Sequence, residues 1–311
     1  NLPNIADNDV PLGKDEKYNK LIKKIGKIKK INFMIKSHVD LGFKKKNIDL
    51  TNYLSLFSLI FVNIFFYRIA EHGTDRSAQI LIFLLVIELL ALAKLKRIKS
   101  TDLFNVYLLG AFIISLKAFY ILYVILIIPL ILLIKSRKQD YIKIINFLIF
   151  NKFFVLFLIL LFFVLLSYFV NTGCLIYPLS ITCFDSLNWS IPSEQVQTMN
   201  NWYELWAKGG AAPNFRVSNP DHYILGFNWV NNWIDIYFFN KVSDFILGLL
   251  LLIIIVVIFF RKEFFKEKSN KVNKHIYITY FIILILGFEW FYNHPSLRYG
   301  GYCIVALLFF I

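Results

Sequence analysis

Seven consecutive residues, Glu71-His72-Gly73-Thr74-Asp75-Arg76-Ser77, place two carboxylates, an imidazole and a guanidinium between two apolar runs. Such a set can supply a general base, an acid able to hold a divalent metal, and a cation for a phosphate. Asp75, Glu71 and His72 are therefore the candidate catalytic residues, and Arg76 is a candidate for substrate binding. The plainer alternative is a hydrated turn in which Asp75 or Thr74 caps the following helix. Two further cations stand at the edges of apolar runs: Lys117, and Arg298 within Asn293-His294-Pro295-Ser296-Leu297-Arg298-Tyr299. Cations so placed can hold a lipid phosphate or diphosphate, so Lys117, Arg298 and the neighbouring His294 join the substrate-binding candidates. Glu289 sits beside them, and simple headgroup pairing is the rival reading for Lys117. Glu88 lies inside an apolar run, where it either snorkels towards Lys94 or pairs with another helix. Glu204, Asp221 and His222 complete the titratable candidates. The sequence carries no G-x-S-x-G, Walker loop, dinucleotide fingerprint, C-x-x-C or H-E-x-x-H, so hydrolase, ATPase and Rossmann chemistry find no support. A divalent metal ion is the one cofactor this chemistry invites, and no ligand set is evident for it.

The elements that would position these groups are membrane helices. Of 311 residues, 58% are apolar and 18% aromatic, with 33 Phe, while 17% are charged. An ordinary globular protein carries roughly 45–50% apolar residues. Soluble enzyme, collagen-like, disulfide-scaffold and disordered classes are excluded, and the expected fold class is an all-α polytopic membrane protein. The formal net charge of +14 comes from 34 Lys and Arg, of which 27 fall in 1–52, 94–99, 135–152 and 261–274. Every other inter-helix segment is thereby basic, which is the positive-inside pattern with an added attraction to anionic lipid. The arginine-and-aromatic interleaving of a nucleic-acid surface is missing, so no nucleic-acid partner is expected.

The apolar runs are Tyr53–Ile69, Ile80–Ala93, Phe104–Leu116, Ala118–Ile134, Phe153–Val170, Phe245–Phe260 and Ile276–Phe288, with another starting at Tyr302. Ile80–Ala93 is short for a bilayer that needs about 20 residues. The two runs around Lys117 read as an antiparallel hairpin, because both flanks, 94–99 and 135–143, are basic. The expected organisation is a basic cytoplasmic segment at 1–52, with an amphipathic helix over Tyr18–Ile35, then membrane helices at 53–170. A Trp-rich outward loop follows at 171–244, then membrane helices at 245–311. That makes about seven to eight spanning or re-entrant helices and an inside N-terminus.

The 171–244 loop holds five of the six Trp. Val196, Met199, Trp202 and Trp206 share one helical face, and Trp229, Trp233 and Tyr237 share another. Asn219-Pro220-Asp221 is a good helix start. Interfacial anchoring is the expectation for these tryptophans, with stacking on sugar rings the alternative. Cys174 and Cys183 could form a disulfide in an oxidising compartment or remain two free thiols. The chain begins with Asn1 rather than Met and stops within an apolar run, so a longer parent protein is expected, and no signal peptide is visible.

Four segments together carry a resemblance: the 71–77 cluster, Gly173-Cys174-Leu175-Ile176-Tyr177-Pro178 leading to Thr182-Cys183-Phe184, Ala211-Ala212-Pro213-Asn214-Phe215-Arg216, and Gly226-Phe227-Asn228-Trp229-Val230. Over roughly 53–311 the chain resembles an uncharacterised family of bacterial multi-spanning proteins found with cell-envelope polysaccharide genes. That family in turn is similar to GT-C-type glycosyltransferases, which use polyprenyl-phosphate-linked sugars. The resemblance implies short and re-entrant segments, an outward active site and a loop over the membrane. It also implies an acidic first outward loop bearing the catalytic base, which by the family pattern would precede residue 1; Asp75 and Glu71 are the acids present here to partner it.

The resulting expectation is a glycosyltransferase of the bacterial inner membrane acting in cell-envelope polysaccharide or lipopolysaccharide assembly. Its partners would be membrane lipids, a polyprenyl-phosphate sugar and a glycan acceptor. The rival classes are a transporter or flippase of a lipid-linked glycan and a polysaccharide polymerase. Pro129 alone interrupts a span and no repeat is evident, which leans away from transport.

Overall fold

A computed structural model describes residues 50–65, 73–95, 98–132, 141–211, 217–259 and 274–310. The 1–49 segment with its expected amphipathic helix, the candidates Glu71 and His72, and most of the 261–274 basic cluster lie outside the described residues. Those described are helical, with no β-strand among them beyond an isolated bridge between Cys174 and Cys183.

The membrane-type helices are α1 (Leu50–Phe65), α2 (Thr74–Lys94), α3 (Phe104–Leu116), α5 (Lys152–Thr172), α8 (Val230–Ile258), α9 (Lys274–Asn293) and α10 (Gly301–Phe310). Shorter helices α4 (Tyr141–Ile149), α6 (Ser193–Lys208) and α7 (Pro220–Ile224) lie between them. Within the described residues, α2, α5, α8 and α9 each contain a stretch long and apolar enough to cross a membrane. The protein is thus an all-helical membrane protein by length and composition of its helices.

The apolar side chains form one continuous core. Phe61 of α1 packs against Phe83 of α2 and Phe245 of α8, and Phe57 stacks on Phe310 of α10. Tyr107 of α3 contacts Phe154 and Phe157 of α5 and donates to the Leu148 carbonyl at 2.7 Å. Only 6% of the most apolar window of α5 is buried. A helix that is apolar all round yet uncovered belongs against hydrocarbon, so α5 marks the lipid-facing edge of the bundle.

Local chemistry fixes the ends. Asn151 caps α5 by accepting from the Phe153 and Phe154 amides at 3.0 Å, while its own amide donates to the Phe147 and Leu148 carbonyls of α4. At the other end Gly173 takes a left-handed φ of 76° and its amide returns to the Phe169 carbonyl, the geometry of a glycine C-cap. The chain then turns into a loop closed by a Cys174–Cys183 disulfide.

The structure departs from the expected boundaries at two spans. The second does not start at Ile80; α2 starts at Thr74 and runs 21 residues. Its polar first turns are buried against other segments, which hydropathy does not register. The sixth does not start at Phe245, because α8 begins at Val230 and carries a π-helical stretch, Ile234–Val242. Trp229, Trp233 and Tyr237 are consequently core residues, 0%, 4% and 6% exposed, rather than interfacial anchors.

The hairpin at Lys117 is present. α3 ends at Leu116, Lys117 is extended (φ −158°, ψ 128°), and a 3₁₀ stretch covers Ala118–Ile127. Ten residues of 3₁₀ helix is well beyond the usual three or four. This stretch packs on α3, α9 and α2.

Candidate functional site: an ion cluster at the helix ends

Asp75 occupies the first turn of α2, where the helix dipole favours a carboxylate. It caps nothing; Gly73 is the N-cap and makes no side-chain bond. Instead the carboxylate, 1% exposed, is shared by two cations remote in sequence. Arg298 donates from Nε to Oδ2 at 2.6 Å, and Lys117 forms an ion pair with Oδ1. The hydrated-turn reading of Asp75 is therefore overturned by its burial and its partners. Both cationic side chains remain more than one-third exposed, at 34% for Lys117 and 39% for Arg298.

Gln79, one turn after Asp75 on the same face, completes the stitching. Its Nε2 donates to the Arg298 carbonyl at 2.8 Å and its Oε1 accepts from the Cys303 amide at 2.9 Å. Gln79 is wholly buried; its only mark in the sequence is its place four residues after Asp75, on the same helical face. Segment 294–300 is held from below by indoles: Trp233 donates to the Pro295 carbonyl and Trp290 to the Ser296 carbonyl, both at 2.8 Å. The Tyr237 hydroxyl accepts from the Leu297 amide at 2.9 Å.

Tyr299, also unremarked in sequence, lies under both cations. Lys117 Nζ stands 4.6 Å and the Arg298 guanidinium 5.9 Å from its ring centre. The His294 ring meets it at 5.8 Å and Phe119 at 5.1 Å. Burial, then the Lys208 and Lys117 charges, lower the His294 pKa to about 4, so the imidazole is neutral at pH 7. Burial pulls the Arg298 guanidinium down, but the hydrogen bond and charge of Asp75 outweigh it and hold it above its ordinary value. Burial pushes the Tyr299 hydroxyl up to about 12. With His294 neutral, two cations and one carboxylate leave the cluster at a net +1, a site for an anion.

Of the other candidates, Arg76 points its charge into the protein, 6% exposed, and is not presented to solvent as Lys117 and Arg298 are. Glu289 accepts from Asn293 at 3.0 Å within α9. Glu88 accepts from Asn105 of α3 at 3.1 Å rather than reaching for Lys94. Glu204 is bonded to Lys208 at 2.5 Å, and Asp221 and His222 are exposed on α7. Among the described residues no group of three or more His, Cys, Asp or Glu is placed to hold a metal ion. Asp75 also has both oxygens committed to cations.

An apolar groove of about 380 Å³ runs between α3 and α5, lined by Phe112, Ser115, Phe163, Ser167 and Tyr168 among others. It opens on the lipid-facing side and ends at Ser115, two residues from Lys117.

Comparison with known proteins gives short local matches. A 48-residue stretch is 54% identical to the serine–tRNA ligase of Wigglesworthia glossinidia brevipalpis, covering 15% of this chain and 11% of that protein. A 61-residue stretch is 49% identical to the serine–tRNA ligase of Baumannia cicadellinicola subsp. Homalodisca coagulata, covering 20% and 14%. The chain thus spans between 11% and 14% of the length of these two relatives. No solved structure matches. One family model extends over nearly all of the membrane-helical body, residues 30–305, and by that match the chain belongs to the family described as a domain of unknown function, DUF8201.

Proposed function

We propose that this protein is a GT-C-like glycosyltransferase of the bacterial inner membrane. It would transfer a sugar from a polyprenyl-phosphate donor during cell-envelope polysaccharide or lipopolysaccharide assembly. The observation that carries the reading is the convergence of Lys117 and Arg298 on buried Asp75; the apolar α3–α5 groove, whose lining includes Ser115 two residues before Lys117, supports it. The donor phosphate sits against the two partly exposed cations, and its isoprenoid chain lies in the α3–α5 groove. An acceptor hydroxyl attacks the sugar C1, the C1–O bond to phosphate breaks, and the leaving polyprenyl phosphate takes the electron pair. Lys117 and Arg298 stabilise the charge gathering on that phosphate. Asp75, with both oxygens engaged, is a positioning residue that sets the spacing of the cations. The acceptor proton goes to Glu71 or to the acidic loop that the GT-C pattern places ahead of residue 1.

The same reading puts about seven to eight segments in the membrane and the N-terminus in the cytoplasm. Support comes from the four shorter apolar helical stretches, Tyr53–Phe65, Ser100–Leu116, Ala118–Leu132 and Gly301–Phe310, beside the four longer ones. The test is transfer activity of the full-length protein in membranes supplied with undecaprenyl-phosphate hexoses. Lys117→Ala and Arg298→Ala should each lower turnover by roughly 100-fold, the scale of losing one donor to a developing anion. Full activity in both variants overturns the reading. Absence of transfer together with a variant-sensitive movement of lipid-linked glycan across the bilayer moves the assignment to a flippase.

A further inference from the structure

The cation pair accounts for a phosphate but not for the sugar attached to it. The surface adjoining the pair is aromatic. Tyr299, beneath both cations, meets the Trp206 ring of α6 at 5.7 Å, edge to face. Trp206 is half-buried, and the Tyr299 ring joins it to Lys117 and Arg298, whose charges stand 4.6 and 5.9 Å from that ring's centre. Trp202, one turn earlier on the same helix, is 52% exposed and lacks the contact with Tyr299 that Trp206 makes.

The α6 helix is fixed at both ends. At its start Asp185 accepts from the Ser193 amide at 2.8 Å and from its hydroxyl at 2.6 Å. Ser180 donates to Gln197 at 2.7 Å, tying the helix to the disulfide loop. At its end Lys208 is wholly buried, bonded to Glu204 and to the Ile224 carbonyl at 2.8 Å. Its ammonium also lies over the Trp229 and Tyr292 rings, at 5.4 and 5.2 Å. Trp206, two residues from this anchor, is held in place before any ligand arrives, which removes the ordering cost of binding.

We infer that Trp206 and Tyr299 form the sugar subsite of the cation pair, a fixed aromatic wall taking the apolar C–H face of a hexose whose phosphate rests on Lys117 and Arg298. This rests on the glycosyltransferase reading, since it supplies the phosphate's position. A hexosyl phosphate is the ligand that uses a cation and an adjoining ring face together: its ring has one face of C–H bonds and its hydroxyls point outwards. A bare lipid headgroup uses the cations alone.

The test separates the two. The full-length protein in nanodiscs is titrated with undecaprenyl phosphate and with its glucosyl, galactosyl and mannosyl forms. The wild type should prefer at least one hexosyl form over the bare phosphate. Trp206→Ala should erase that preference, a loss of roughly tenfold for the hexosyl lipid, with affinity for the bare lipid unchanged within about twofold. Trp206→Phe should retain most of the preference, Trp202→Ala all of it, and Lys117→Ala should weaken every lipid alike. Equal weakening of bare and hexosyl lipids by Trp206→Ala overturns the inference and makes Trp206 a packing residue. A preference that survives Trp206→Ala also overturns it. If the wild type binds none of the four lipids, the glycosyltransferase reading fails first and the subsite falls with it.

Discussion

Asp75 is the residue on which the cluster depends, because its carboxylate is shared between Lys117 and Arg298. Replacing it with Asn keeps the shape but leaves two neighbouring cations facing each other. Breaking a buried pair costs roughly 3–5 kcal/mol, and the one-third exposure of both cations lowers that here to about 3 kcal/mol. Asp75→Asn should therefore melt well below the wild type in detergent. Adding Lys117→Met should recover part of the loss by removing the repulsion, a non-additivity a double-mutant cycle reads directly. His294 makes a separate prediction with a definite sign. Its folded pKa of about 4 lies below the ordinary 6.5, so the unfolded chain binds the proton first as pH falls. Stability from this group is intact above pH 6.5, declines between 6.5 and 4, and levels off below, a total of about 3 kcal/mol. His294→Gln should flatten the melting temperature across that interval relative to wild type.

The elements explain why some of the site was legible in the sequence and some was not. Lys117 and Arg298 were recognisable as cations at the edges of apolar runs, and Asp75 as a member of the 71–77 polar cluster. Their meeting was not, since it joins residues 223 positions apart and depends on the hairpin turning at Lys117. The charge pattern at 94–99 and 135–143 did indicate that turn. The starts of α2 and α8 were misplaced because hydropathy counts only apolar side chains, whereas buried Gln79, Trp233 and Tyr237 are satisfied by specific carbonyls and amides. The Glu88–Asn105 bond likewise needed the α2–α3 pairing to be seen. The α9–α10 corner offers a prediction at this scale. A Cβ at Gly301 would collide with the Trp290 indole, and Trp290 holds the Ser296 carbonyl. Gly301→Ala must therefore displace the indole and slacken segment 294–300. Overpacking of this kind costs roughly 1–3 kcal/mol. Intrinsic fluorescence should shift as Trp290 moves, and lipid-phosphate affinity should fall because Arg298 is released from its register. An unchanged spectrum would show that the corner gives way elsewhere.

At the scale of the whole molecule, the chemistry-bearing groups gather at one end of the bundle. The start of α2, the α3 turn and segment 294–300 meet there through Asp75, Lys117 and Arg298. α6 closes on them through Trp206 and Tyr299. The basic stretches 94–99 and 135–143 flank the opposite ends of α2, α3 and the 3₁₀ stretch. The proposed positive-inside orientation would put the ion cluster and α6 outside, where a lipid-linked sugar would present its headgroup. Four exposed positions test this: Gln197 on α6 and Asn219 ahead of α7 should be external, Thr101 and Lys143 internal. Each is changed singly to Cys with Cys303→Ser as background, the Cys174–Cys183 pair remaining oxidised. In spheroplasts a membrane-impermeant maleimide should label positions 197 and 219, and reach 101 and 143 only after lysis. The inverse labelling pattern would turn the cluster towards the cytoplasm. The cations would then face nucleotide-bearing rather than lipid-borne sugars, and the outward-acting GT-C reading would be the part to abandon, while the anion-binding geometry of Lys117 and Arg298 would stand.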